Sequence, residues 1–222
     1  SQNFPLDTSL ARFNMVEQQI RPWGVLDPSI VALIHELDRQ HFVPKGYQSM
    51  AYADIEIPIG CDQYMMAPKL EARLLQALAP RPGDRILEIG TGSGFVTALL
   101  AKSGAEVTSV EIFPELLHRA ANVLQSNGIL DVNLCVGDGA TGWSKGGPWD
   151  GILLTASTPS LPQAYKDLLS TNGRLVAIVG RGPAMEAVQI VRRSDQSFAH
   201  FSLFETCVAP LVNAQELRVF AL

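Results

Sequence analysis

The stretch "RILEIGTGSGF", residues 85–95, runs from a short apolar segment into three closely spaced glycines. Glycine has no Cβ, so the backbone at Gly90, Gly92 and Gly94 can turn tightly and approach a bound ligand. A dinucleotide-binding turn would read GxGxxG, whereas position 95 is phenylalanine and the spacing here is GxGxG. The stretch therefore predicts a strand, a ligand-binding turn and a helix, with a ligand other than a nicotinamide or flavin dinucleotide.

The residues that follow repeat the alternation of strand and helix. Apolar runs that predict strands lie at 85–89, 106–110, 132–136, 150–155, 174–180, 186–193 and 200–211. Helices are predicted at 69–79, 94–102, 114–126 and 162–170. The last two strands have no helix between them, so we expect them to pair antiparallel at the sheet edge. The pattern predicts an α/β fold with a doubly wound, mostly parallel seven-stranded sheet.

A helical segment precedes the predicted sheet. Apolar residues at helical spacing predict a helix over about residues 9–20, and Asp27-Pro28 is a helix-start signature for a second helix that reaches about Leu37. The stretch 41–60 is expected to form a loop. We therefore expect a single domain over residues 1–222, with an N-terminal helical and loop segment (1–68) and an α/β core (69–222).

The composition argues against several classes of protein. The 222 residues carry a net charge of -5, which opposes the phosphate-neutralising contacts that a nucleic-acid binder needs. No apolar run reaches the length of a membrane span, and the opening residues lack the layout of a signal peptide. Cys61, Cys135 and Cys207 are far apart and form no metal-binding pair, so we expect reduced thiols, a cytoplasmic location and no metal site.

Three acidic residues at the ends of predicted strands indicate the ligand. Glu111 ends the second strand, 21 residues after Gly90, where a carboxylate can accept hydrogen bonds from both ribose hydroxyls. Glu88 precedes the glycines and suits a ligand with an amino group and a sulfonium better than a pyrophosphate. Asp138 follows the third strand, where an adenine amino group can donate to it. The ordered set predicts S-adenosylmethionine as cofactor; a glycine turn that serves only strand-to-helix packing is the alternative.

The predicted cofactor site extends to the neighbours of these residues. Its members are Glu88, Gly90, Thr91, Gly92, Gly94, Glu111, Ile112, Asp138 and Gly139. Because an acid at a strand end that faces an empty cleft has few partners, we expect replacement of Glu111 to weaken cofactor binding and to leave the stability of the unliganded protein almost unchanged.

Longer stretches of the chain resemble the protein-L-isoaspartate O-methyltransferase family. The likeness begins at "MVEQQIRPWGVLDPSIVALIHELDRQHFVP" and continues through "AYADIEIPIG", "GDRILEIGTGSGFVTALLA" and "WDGILLTASTPSLPQAYKDLLSTNGRLVAIVG". It spans about residues 12–180 and persists weakly to "VAPLV". The resemblance implies methyl transfer from S-adenosylmethionine to a carboxylate of damaged aspartyl residues in proteins.

The resemblance breaks at "QYMMAP", residues 63–68. Family members carry a stretch there that resembles Gln-Thr-Ile-Ser, followed by a small or polar residue and proline. Met66 therefore occupies the position of the family's catalytic serine, and Tyr64 that of its threonine. We assign Tyr64, Met65 and Met66 to the substrate pocket and assign no catalytic residue. A thioether is only a weak acceptor and cannot donate as a serine does, so we expect isoaspartyl peptides to be methylated poorly or not at all.

The absence of a base or nucleophile in this stretch does not argue against methyl transfer. An aspartyl carboxylate is already ionised at neutral pH and needs no general base, so positioning can supply most of the catalysis. Three interpretations stay open. The chain is an isoaspartyl carboxyl methyltransferase in which Tyr64 supplies the missing donor, a methyltransferase for a more apolar peptide, protein or small-molecule acceptor, or a non-catalytic module that binds S-adenosylmethionine.

Overall fold

The computed structural model describes residues 7–214 of the chain. A seven-stranded, mostly parallel sheet forms its centre and confirms the predicted α/β fold, with a helical segment before the sheet. The stretches 1–6 and 215–222, which the predicted domain includes, lie outside the described residues. In the part of the chain that is described, no helix is both long enough and apolar enough to cross a membrane.

The N-terminal segment begins with helix α1 (Ser9–Met15), and helical structure continues to Ile20 as predicted, although the second half of the helix is not α-helical. A π-helical turn continues the chain over Val16–Ile20, where the Arg21 N–H donates to the Val16 carbonyl five residues back. The side chains of Val16 and Ile20 in this turn are both buried.

Helix α2 (Pro28–Glu36) begins where the sequence predicts it. The Asp27 carboxylate accepts a hydrogen bond from the Ser29 N–H at 2.9 Å, and proline fills the first helical position. Two 3-10 turns follow, Arg39–Phe42 and Lys45–Met50. Much of the stretch 41–60 is therefore regular structure, and the prediction of a loop there is wrong.

A short β-hairpin then leads into the core, at residues that were predicted to lie in loops. Strand β1 (Ile57–Gly60) pairs antiparallel with strand β2 (Gln63–Met65). Both isoleucines of β1 are buried and alternate with more exposed residues, which is the period of a half-buried strand. The two residues between the strands, Cys61 and Asp62, have positive φ angles of 53° and 54°.

The α/β core consists of one helix followed by alternating strands and helices. Its elements are α3 (Pro68–Leu78), β3 (Arg85–Ile89), α4 (Phe95–Lys102), β4 (Glu106–Glu111), α5 (Pro114–Ser126), β5 (Val132–Val136), β6 (Trp149–Thr158), α6 (Gln163–Asp167), β7 (Leu169–Arg181), β8 (Ala184–Ser194) and β9 (Ser197–Thr206). The strand order is β5-β4-β3-β6-β7-β8-β9. Strands β8 and β9 pair antiparallel at the edge, as predicted, and β7 also pairs antiparallel with β8.

The predicted helix over residues 162–170 is too long. Helix α6 ends at Asp167, and strand β7 begins at Leu169. Leu169 is opposite Trp149 of β6 in the parallel register, and the Trp149 N–H donates to the Leu168 carbonyl at 2.8 Å. Because Leu169 is also buried, strand pairing and burial together end the helix early.

Side chains of β3 alternate between two apolar layers. Ile86 packs with the layer that includes α3, α4, α5 and the N-terminal segment, whereas Leu87 and Ile89 pack with the opposite layer, which contains Tyr165 of α6. Helices therefore cover both faces of the sheet. The strand order reverses between β3 and β6, and in such sheets a ligand crevice opens at this point, outside the carboxyl ends of the strands.

Candidate functional site

A cleft with an open volume of about 750 Å³ lies at the carboxyl ends of β3, β4, β5 and β6. The predicted site residues in its lining are Tyr64, Met66, Gly90, Gly92, Glu111, Ile112, Asp138 and Gly139. A smaller cavity, here called the inner cavity, shares five lining residues with the cleft: Tyr64, Met66, Gly90, Gly92 and Thr155. It is also lined by Met65, Glu71, Thr91, Ser93 and Val96. The fold thus brings most of the predicted site residues together.

The first two glycines shape the floor of the cleft. Gly90 has a φ of 100°, and a Cβ added there would overlap the Thr155 hydroxyl, which donates to the Gly90 carbonyl at 2.6 Å. Gly92 has a φ of 54°. Gly94 lines neither cavity; it precedes α4 with a φ of 85°, and an added Cβ would come within 3.2 Å of Ala120 on α5. Gly94 therefore serves helix packing, whereas Gly90 and Gly92 leave room for a ligand.

Glu111 lies at the end of β4 and holds the glycine turn. Its Oε1 accepts a hydrogen bond from the Gly92 N–H at 2.9 Å, and its Oε2 accepts one from the Phe113 N–H at 3.2 Å. The residue is only 5% exposed. The expectation that Glu111 has few partners in the unliganded protein is therefore wrong. A carboxylate has about four lone-pair sites, so two are still available to ribose hydroxyls.

Asp138 lies just beyond the end of β5, at the far end of the cleft. Its Oδ1 accepts from the Ala140 N–H at 2.9 Å, and its Oδ2 accepts from the Asn213 side-chain amide at 2.9 Å. The Tyr165 hydroxyl donates to the carbonyl of the neighbouring Gly139, which helps to hold the backbone after β5 in place. Asp138 is thus held at the cleft wall, with its remaining lone pairs available to a donor.

Glu88 is a predicted site residue that does not line the cleft. It is fully buried, and its Oε1 accepts from the Ser109 hydroxyl at 2.6 Å and from the Thr97 hydroxyl of α4. Its Oε2 has no partner among the described residues. Burial raises the pKa of Glu88 to about 8, and the charges of Glu111 and Glu71 add to the shift while the two hydroxyls oppose it. Glu88 lines neither the cleft nor the inner cavity, because its carboxylate is turned toward the hydroxyls of Ser109 and Thr97.

The "QYMMAP" stretch forms one wall of both cavities. Met65 and Met66 are buried, with 4% and 7% of their surface exposed, whereas Tyr64 is 51% exposed. Met66 and Tyr64 line the cleft and the inner cavity, and Met65 lines the inner cavity alone. The Tyr64 hydroxyl has no hydrogen-bond partner among residues 7–214. Met66 therefore presents an apolar surface to the cleft, beside a tyrosine whose donor is free.

A buried ion pair fixes this wall. The Arg39 Nη1 lies 2.5 Å from the Glu71 Oε2, and its Nη2 donates to the Met66 carbonyl at 2.9 Å. The guanidinium also lies over the Phe95 ring, 4.8 Å from its centroid, at the start of α4. Burial raises the pKa of Glu71, and the charge of Arg39 opposes this shift. Arg39 thus links the N-terminal segment, α3 and α4 to the backbone of the "QYMMAP" stretch.

Several residues of the site were missed by sequence reasoning. Thr155 lies on β6 at its carboxyl half, a position that the strand pattern alone could have identified. Residues 208–212 form the outer wall, where the Ser157 hydroxyl donates to the Val208 carbonyl at 3.0 Å and the Leu211 N–H donates to the Ser157 carbonyl. Glu71 is buried in the first turn of a helix, and nothing in its local pattern marks it as a site residue.

Comparisons with known proteins agree with this geometry. A family model described as protein-L-isoaspartate(D-aspartate) O-methyltransferase matches residues 11–216. A protein-L-isoaspartate O-methyltransferase from Syntrophotalea carbinolica is 38% identical over 207 residues, which cover 93% of this chain and 95% of the relative. A protein of the same name from Gloeobacter violaceus is 38% identical over 197 residues, covering 89% of this chain and 96% of the relative.

A solved structure shares the fold. A crystal structure from Plasmodium falciparum, described as a protein-L-isoaspartate O-methyltransferase in complex with S-adenosyl-L-homocysteine, superposes with a TM-score of 0.76. The match covers 91% of this chain and 97% of that chain at 20% sequence identity. At that identity the likeness establishes the fold alone.

Proposed function

Because the chain belongs to the protein-L-isoaspartate(D-aspartate) O-methyltransferase family, we propose that it transfers a methyl group from S-adenosylmethionine to the carboxylate of isoaspartyl residues in peptides or proteins. The observation that carries this proposal is the order of groups along the cleft. Strands β5, β4 and β3 are neighbours in the sheet. Asp138 follows the end of β5, Glu111 is the last residue of β4, and Gly90 follows the end of β3.

This order fits the cofactor from its adenine to its amino-acid end. Adjacent strands are about 4.8 Å apart, so the three positions succeed one another at the spacing of an adenine, a ribose and a thioether chain. The described residues that line the cleft include no lysine, arginine or histidine. Such a lining suits a sulfonium and does not suit the pyrophosphate of a dinucleotide.

Each residue of the cleft then has a defined role toward the cofactor. Asp138 accepts from the adenine amino group, and Glu111 accepts from the ribose hydroxyls while it holds the Gly92 N–H. Because Gly90 and Gly92 have no Cβ, the cofactor sulfur can lie close to their backbone. When bound, S-adenosylmethionine supplies an electrophilic methyl group on a positively charged sulfur.

The protein's contribution to the reaction is positioning. An isoaspartyl carboxylate is ionised at neutral pH, so no side chain has to remove a proton. Orientation of the carboxylate toward the methyl group can supply several kcal/mol of the barrier reduction. The Tyr64 hydroxyl lines the cleft without an internal partner and can donate to the carboxylate. Tyr64 thus takes the recognition role that the resemblance gives to the serine now replaced by Met66.

The presence of Met66 at the position of the family's serine is expected to slow methylation of isoaspartyl residues. Met66 is buried against the cleft and offers no donor, so one hydrogen bond to the acceptor is absent. We therefore keep the prediction that isoaspartyl turnover is low, and that it depends on Tyr64. Family membership favours the isoaspartyl acceptor over the apolar acceptor and over the non-catalytic module.

We propose a peptide or protein as the methyl acceptor and a cytoplasmic location. The names of the relatives refer to a protein substrate. All three cysteines are free thiols, which fits a reducing compartment.

A transfer assay tests the proposal. The protein is incubated with methyl-labelled S-adenosylmethionine and a peptide that contains one isoaspartyl residue, and base-labile label in the peptide is counted. The control is the same peptide with a normal aspartyl linkage. We expect label in the isoaspartyl peptide alone. A folded protein that binds S-adenosylhomocysteine and labels neither peptide, or labels both equally, would contradict the proposed acceptor.

A further inference from the structure

We infer that Glu71 binds the ammonium group at the methionyl end of the cofactor, an inference that rests on the proposed function. Glu71 is the only charged side chain among the described residues that line the inner cavity. It belongs to the first turn of α3 but is only 4% exposed, so its carboxylate lies inside the protein and beside this cavity. The sequence pointed to Glu88 for this role, but Glu88 lines neither the cleft nor the inner cavity.

The inner cavity lies where the amino-acid end of the cofactor has to be. Asp138 and Glu111 fix the adenosine end at β5 and β4, and the next strand in the sheet is β3, which ends at the glycine turn. The inner cavity begins at Gly90 and Gly92 and continues past Thr91 and Ser93. A ligand that enters along the strand ends therefore reaches Glu71 after its ribose and its sulfur.

The carboxylate has the charge and the capacity for this contact. Burial raises the pKa of Glu71, and the positive charge of the Arg39 guanidinium, 2.5 Å away, opposes that shift and pairs with the ionised carboxylate. The second contact, from Arg39 Nη2 to Glu71 Oε1, is long at 3.4 Å. A carboxylate has about four acceptor sites, and Arg39 occupies at most two of them. An ammonium group has three donors and a positive charge. No other described side chain that lines the inner cavity carries a charge that could pair with it.

A purely structural role for Glu71 is the competing explanation. In that case Glu71 only neutralises Arg39, and a substitution at this position changes the affinities of ligands with and without an amino-acid end by the same factor. The two explanations therefore differ in a comparison of ligands, which does not require methyl transfer.

Calorimetry with two ligands separates them. S-adenosylhomocysteine carries the amino-acid end, and 5′-methylthioadenosine shares its adenosine and sulfur but lacks the ammonium and the carboxylate. We expect Glu71→Gln to weaken S-adenosylhomocysteine binding about tenfold or more, the scale of a hydrogen bond to a charged group, with methylthioadenosine binding unchanged. Glu106→Gln, at the exposed amino end of β4, is the matched control and should change neither affinity.

A second arm uses the wild-type protein, because Glu71→Gln leaves a buried Arg39 without its partner and is expected to destabilise the fold. The affinity of S-adenosylhomocysteine is compared with that of the analogue in which hydrogen replaces the amino group. We expect the analogue to bind about tenfold more weakly. Equal affinity of the two ligands, or an equal loss of S-adenosylhomocysteine and methylthioadenosine affinity in Glu71→Gln, would overturn the inference. Absence of any S-adenosylhomocysteine binding by the wild type would instead contradict the proposed function itself.

Discussion

Replacement of Glu111 by alanine should weaken cofactor binding and also destabilise the unliganded protein. The carboxylate accepts from the Gly92 and Phe113 N–H groups at 2.9 and 3.2 Å. Gly92 and Phe113 are both half-buried, so water can replace only part of the hydrogen bonding that their N–H groups lose. Loss of such partners costs about 1–3 kcal/mol in the free energy of unfolding. The ribose hydroxyls lose a charged acceptor as well, which corresponds to about 1.5–3 kcal/mol of binding free energy, or roughly a 10- to 150-fold weaker affinity.

Two measurements check this prediction. Denaturant unfolding without ligand gives the loss of stability, and calorimetry gives the affinities for S-adenosylhomocysteine and for adenosine. Because both ligands contain the ribose, we expect their affinities to fall by a similar factor, and Glu106→Gln on the same strand should leave both unchanged. Wild-type affinity for both ligands in a folded Glu111→Ala protein would refute the ribose assignment. Unchanged stability would refute the role of Glu111 in holding the glycine turn.

The remaining predictions concern the substrate-pocket residues Tyr64, Met65 and Met66 and the buried carboxyl group of Glu88. Tyr64→Phe should lower kcat/KM for an isoaspartyl peptide about tenfold by removing one hydrogen bond to a charged group, with S-adenosylhomocysteine affinity unchanged; an unaltered kcat/KM would exclude Tyr64 as the donor. The combined variant Tyr64→Thr, Met65→Ile and Met66→Ser should raise isoaspartyl turnover, although loss of two buried thioethers can cost a few kcal/mol of stability. No gain in a folded, cofactor-binding variant would mean that the acceptor pocket differs beyond this stretch. For Glu88, the folded-state pKa of about 8 lies above the ordinary glutamate value of 4.5, so the folded protein holds this proton more tightly. Stability without ligand should therefore fall as pH rises from about 5 to 8, by up to about 1.4 kcal/mol per pH unit from this group. Glu88→Gln should flatten that fall in unfolding measurements, and an identical pH dependence in both proteins would contradict the assignment.

Local patterns were sufficient to predict the framework of the site. The glycine spacing, the strand that precedes it and the acid at the end of the next strand are separated by few residues, and parallel strands bring their carboxyl ends to one edge. Glu111, Asp138 and the first two glycines consequently line one cleft. Their position follows from the sheet topology and requires no knowledge of long-range side-chain packing.

The orientation of Glu88 was predictable from the sequence, whereas the missed contact of Glu71 depends on packing between distant segments. Glu88 follows Ile86 by two residues and so faces α4, where Thr97 donates to it. Strand alternation alone would have predicted this orientation. The contact between Arg39 and Glu71 spans 32 residues, and no local periodicity indicates it.

The most direct test of the account is the product of a single reaction mixture. Equal amounts of an isoaspartyl peptide and its normal aspartyl counterpart, distinguished by an isotope in a remote residue, are incubated with the protein and S-adenosylmethionine and then analysed by mass spectrometry. We predict a slow gain of one methyl group on the isoaspartyl peptide alone, and loss of that methyl group after brief treatment with base. A base-stable methyl group, or equal methylation of the two peptides, would contradict carboxyl methylation of isoaspartyl residues.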